Sequence, residues 1–73
     1  MGNEKFLNHF GKNIRELRIK KGWTRENLAR HSGLSPSLIA SVEKGKVEVS
    51  LKIILQLMEG LGYTDDELLI SNI

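Results

Sequence analysis

Cysteine is absent from this 73-residue chain. That excludes disulfide staples and thiolate metal sites together. The two histidines, His9 and His31, stand far apart with no partner at metal-ligand spacing, so neither a metal nor a cofactor is expected. No run approaches the ~20 apolar residues that cross a bilayer. The opening segment Met1-Gly2-Asn3-Glu4-Lys5 leads into mixed sequence rather than an apolar signal core. A soluble, cytoplasmic protein without a membrane partner is the expectation. No nucleophile–base pair, acidic metal cluster or phosphate-cradling glycine loop is visible either, so the chain does not read as an enzyme, and no small-molecule ligand is evident.

Length allows one domain, residues 1–73, and no second core. A chain this short, without staples, must rely on close helix packing and gains from a partner subunit. The formal net charge is only +2, but its distribution is uneven. Residues 1–46 hold ten Lys/Arg against four Asp/Glu, whereas residues 47–73 hold one against five. Such polarity fits a module that faces a polyanion on one side, and equally fits ordinary solvated helix faces.

Apolar residues recur at helical spacing almost throughout, and no stretch alternates with the period of a strand. An all-α bundle of five helices is predicted. Phe6, Phe10, Ile14 and Leu17 form one stripe of a first helix over 5–21, which Gly22 stops. Thr24 caps a second helix that runs to about His31, with Asn27 where a capping box would place Glu or Gln. Gly33 supplies the tight exit. Ser35-Pro36 then restarts a helix, Ser as N-cap and Pro in its first turn, which ends at Glu43 or Lys44 before Gly45.

Ser50 caps a fourth helix to Leu61, with Leu51, Ile54, Leu55, Met58 and Leu61 as its expected inward stripe. Thr64 and Glu67 form a capping box for a final short helix. Asp65, Asp66 and Glu67 read as helix-start acids in preference to a metal or catalytic cluster.

Two short helices joined by a glycine turn, over about residues 25–44, suggest a helix-turn-helix. Small Ala29 lies where the helices would cross, and Leu28, Leu34, Ile39 and Val42 point to a shared core.

These residues resemble a known family. Thr24-Arg25-Glu26-Asn27-Leu28-Ala29, Gly33-Leu34-Ser35, and Ile39-Ala40-Ser41-Val42-Glu43-Lys44-Gly45-Lys46 are similar to the lambda repressor/Cro-like (XRE-type) DNA-binding proteins. Ile14-Arg15-Glu16-Leu17-Arg18 and the stretch from Ser50 to Gly62 fit the family's first and fourth helices, so the likeness covers about residues 10–70.

The resemblance implies a sequence-specific transcriptional regulator that binds a double-stranded DNA operator as a homodimer. It pairs Arg18 with Glu43 in an internal salt bridge. Thr24 and Arg25 fall where the second helix meets phosphate, with Arg25 replacing a frequent Gln. Pro36, Ser37, Ala40, Ser41 and Lys44 match the positions that meet base edges in the major groove. Lys44 and Lys46 also suit phosphate.

The first four base-facing positions lack a bidentate reader such as Arg, Gln or Asn. Operator choice is therefore expected to depend on DNA shape as well as contact, or on help from residues 1–5. Leu38 suits either a thymine methyl or packing on the second helix. Trp23 reads as a hydrophobic staple in preference to a base-stacking residue, and His31 as a surface residue.

Excess apolar residues in the C-terminal half, Ile53, Leu57, Leu68, Leu69, Ile70 and Ile73, suggest a dimer interface. The same fold kept as a protein-interaction module, adaptor or antitoxin-like, with little specific DNA binding, is the alternative.

Overall fold

The computed structural model describes residues 2–63, and within them the chain forms four helices: α1 (Gly2–Lys20), α2 (Arg25–Ser32), α3 (Pro36–Glu43) and α4 (Leu51–Gly60). The predicted fifth helix, with its capping box, lies outside the described residues, as do Leu68, Leu69, Ile70 and Ile73.

Local side-chain chemistry sets the helix starts. Thr24 Oγ1 accepts from the Asn27 N–H at 3.1 Å, and the Thr24 N–H donates to Asn27 Oδ1 at 3.0 Å. Asn27 thus closes a reciprocal capping box in place of the usual Glu or Gln. Ser35 and Ser50 cap α3 and α4 in the same way, accepting from Leu38 N–H and Ile53 N–H. Between α2 and α3, Gly33 takes the left-handed conformation at φ 72°, which a side chain would disfavour, and closes the turn.

Ile14, Leu28, Ala29, Ile39, Val42, Leu57 and Leu61 form the buried core. Trp23, Leu34 and Leu38 pack against it from the rim, which places Leu38 with the protein. α1 lies on α3, and α2 packs on both α3 and α4.

A feature of α1 that propensity alone would count against is Gly11, in mid-helix. A Cβ there would stand 2.2 Å from the Val42 carbonyl oxygen and 2.9 Å from that of Glu43. The missing side chain is what lets α1 reach the end of α3. Glycine to alanine in an exposed helix gains about 1 kcal/mol. Here the sign reverses: overpacking against backbone predicts that Gly11→Ala loses roughly 1–3 kcal/mol in urea unfolding.

Leu61 and Met58 of the expected α4 stripe do face the core, but the helix is turned so that Leu57 is enclosed as well and Leu51 is not. Leu57 is fully enclosed and Leu61 nearly so, whereas Leu51 is 71% exposed. Gly60 gives the reason. It abuts Ser32 of α2 so closely that a Cβ would lie 2.8 Å from the Ser32 Cβ. Gln56 Nε2 then donates to the Ser32 carbonyl at 3.3 Å. This contact fixes the helix with Leu57 inward, and Ile54 and Leu55 only half-buried. Leu57, expected at a dimer surface, is therefore a core residue. Ile53 is half-buried and also packs on the core.

Candidate nucleic-acid interface

α3 buries Ile39 and Val42 on one side. On the other, Pro36, Ser37 and Lys44 are exposed, while Ala40 and Ser41 are half-buried. Ser35 Oγ accepts the Leu38 N–H as the cap, and Ser37 and Ser41 add two further hydroxyls to this face. Lys44 and Lys46 follow at the helix end, both exposed. Among the described residues neither meets a carboxylate within ion-pair distance. The face is thus open, small in its side chains, and cationic at one edge.

The start of α2 meets the end of α3 through Arg25, with Thr24 just before it in the chain. Thr24 is exposed, but its hydroxyl serves the cap. Arg25 is not a free surface cation. Its Nε donates to Glu43 Oε1 at 3.1 Å, and its side chain is 36% exposed.

The same carboxylate is held from the other side by Arg18. Nε reaches Oε2 at 2.6 Å and Nη2 reaches Oε1 at 3.1 Å. Arg18 Nη1 also donates to the Trp23 carbonyl at 2.8 Å, tying the entry of α2 to α1. The Glu43 side chain is 1% exposed, so desolvation would be costly without these donors. Two guanidiniums on one carboxylate leave the cluster a net positive charge beside the interface.

Sequence reasoning placed Arg25 at this edge but missed its tie to Glu43. The two residues are eighteen apart and no local spacing marks the pair.

Trp23 is half-buried, with its ring stacked on the His31 imidazole at 4.2 Å between centroids. Lys21 Nζ stands 5.1 Å from the ring centre, a cation–π arrangement. With both ring partners supplied by the protein itself, the indole acts in packing. His31 is exposed, and its Nδ1 lies 2.8 Å from the Asn27 carbonyl. Among the described residues no cluster of metal-ligating side chains occurs. Nor is any described helix long and apolar enough to cross a membrane.

An open helix presented across a glycine turn, with capped starts and flanking cations, defines the class: a helix-turn-helix protein. Comparison with known proteins makes the assignment firm. A helix-turn-helix family profile matches residues 14–68. The HTH-type transcriptional regulator YazB of Bacillus subtilis is 36% identical over 59 residues, covering 81% of this chain and 86% of YazB. A hypothetical transcription factor of Neisseria meningitidis serogroup B is 34% identical over 58 residues. That match covers 80% of this chain, which spans only 55% of the Neisseria protein's length.

Among solved structures, the restriction-modification controller protein C.AhdI from Aeromonas hydrophila superposes with a TM-score of 0.79. Its identity is 44%, with 88% of this chain and 97% of that one covered. The controller protein C.Esp1396I, solved as a tetramer with its natural 35 base-pair operator, gives a TM-score of 0.76 at 31% identity. There 89% of this chain and 90% of that one are covered. The chain belongs to the helix-turn-helix family of transcriptional regulators.

Proposed function

We propose that this protein is a sequence-specific regulator of the controller type, binding a palindromic double-stranded DNA operator as a homodimer through α3 in the major groove. The observation that carries this reading is the open outer face of α3, with Arg25, Lys44 and Lys46 at its borders. Two copies related by a dyad would set their recognition helices one DNA turn, ~34 Å, apart. The operator complex of C.Esp1396I supports the DNA partner and assembly into oligomers.

Pro36, Ser37, Ala40 and Ser41 meet base edges, whereas Thr24, Arg25, Lys44 and Lys46 take phosphate. Lys44, at the helix end, lies within reach of both. Serine hydroxyls discriminate weakly, so DNA shape supplies part of the preference. The work is recognition, without chemistry on the ligand, and its place is the cytoplasm. For the dimer contact, the outer edge of α4 around exposed Leu51 replaces the buried Leu57.

Titration of the protein onto the fragment upstream of its own gene and onto an unrelated duplex, at several salt concentrations, tests the proposal. A preference of at least roughly 10³-fold is expected, with log K falling linearly in log salt. Lys46→Ala should reduce that salt slope by about 1 on every duplex, and Ser37→Ala should alter preference between sequences. Equal, feeble binding to both fragments would favour the protein-interaction module.

A further inference from the structure

We propose that Glu43 is a positioning residue for DNA binding: it holds the Arg25 guanidinium by its Nε–H and leaves the two Nη groups facing out to grip a phosphate. The inference rests on the regulator reading above and names how one of its phosphate contacts is aimed.

The geometry divides the labour between the two arginines. Arg18 engages Glu43 side-on, through Nε and Nη2, and spends Nη1 on the Trp23 carbonyl. Each of its three nitrogens donates within the protein, and its side chain is 11% exposed. Arg25 touches Glu43 through Nε alone, and among the described residues its Nη groups make no hydrogen bond. A guanidinium can take two oxygens side-on, as Arg18 does, or end-on through its Nη pair, and the end-on edge is the one Arg25 keeps.

A guanidinium is planar, so fixing the direction of Nε–H restricts the plane of the fork. Glu43 can impose that direction because it cannot itself turn. Its carboxylate is enclosed and already held by Arg18. The chain of contacts runs from α1 through the end of α3 to the first residue of α2. Arg25 is thereby partly ordered before any ligand arrives. Ordering a long side chain at an interface otherwise costs a factor of roughly 2–10 in affinity.

A lysine at position 25 keeps the charge but cannot donate to Glu43 and present a fork together. Arg25→Lys therefore separates aim from charge. The expected result is about tenfold weaker binding to the operator fragment, with an unchanged salt slope because the cation count is unchanged. Thermal melting of the variant, followed without DNA, reports separately whether the fold survives.

A second measurement uses the unaltered protein alone. In its assigned ¹H–¹⁵N spectrum the Arg25 Nε–H should be displaced from those of Arg15 and Arg30, both exposed, and should exchange more slowly with water. Binding by Arg25→Lys within twofold of the native protein would overturn the proposal. So would an Arg25 Nε–H that matches the exposed arginines. If the native protein ignored every duplex, the regulator reading itself would fail, and a displaced Arg25 signal in that sample would show that the clamp had not.

Discussion

Glu43→Ala should lower the free energy of unfolding by about 3–5 kcal/mol, the cost of leaving a buried charge without its partner. The stranded group is Arg18, whose side chain is 11% exposed and whose Nε and Nη2 would lose their acceptors together. Arg25 would lose its anchor as well, but it can turn to water. For a domain of this size, 1 kcal/mol moves the melting midpoint by roughly 4–8 °C. A fall well above 10 °C in a thermal melt followed by circular dichroism is therefore expected.

The double replacement Arg18→Met with Glu43→Leu should recover most of the loss, because apolar groups of similar volume carry no desolvation penalty. That contrast separates the cost of an orphaned charge from the net worth of the pair. A loss below about 1 kcal/mol for Glu43→Ala would show that the cluster is better solvated than its geometry indicates.

Leu57→Ala should cost about 2–5 kcal/mol, the range for emptying a fully enclosed leucine site. Leu57 is enclosed within one chain, among residues of the core. The penalty should accordingly be present at low protein concentration and no larger at high concentration, as urea unfolding at both would read. A variant that unfolded normally but no longer self-associated would return Leu57 to an interface.

The parts of the fold written in local chemistry could be read directly. Thr24, Ser35 and Ser50 each accept an amide proton three residues on, and such caps depend on neighbours only. α2 and α3 do pack on one another, with Ala29 buried and Gly33 left-handed in the turn between them. The rotation of α4 is not legible in the same way, and only Met58 and Leu61 of the expected stripe face the core. Its apolar residues, at 51, 53, 54, 55, 57, 58 and 61, surround most of the helix, so periodicity selects no single face. The decision came from Gly60 against Ser32, a contact between residues far apart in sequence.

At the candidate interface, the family likeness supplied the positions on α3, and the structure shows which of them are exposed. The tie from Arg25 to Glu43 was hidden, since an ion pair between distant helices has no sequence period. Gly11 did carry a signal. A glycine in the middle of a helix is locally unfavourable, and that points to a neighbour too close for a side chain.

Trp23 gives the molecule an optical gauge of its own. It is the chain's single tryptophan, so indole emission has one origin and needs no deconvolution. The ring rests against His31 near the far end of α2, while its backbone carbonyl is anchored by Arg18 just before that helix begins. Any tilt of α2 as nucleic acid arrives changes the surroundings of that one fluorophore, and the light reports it without a label.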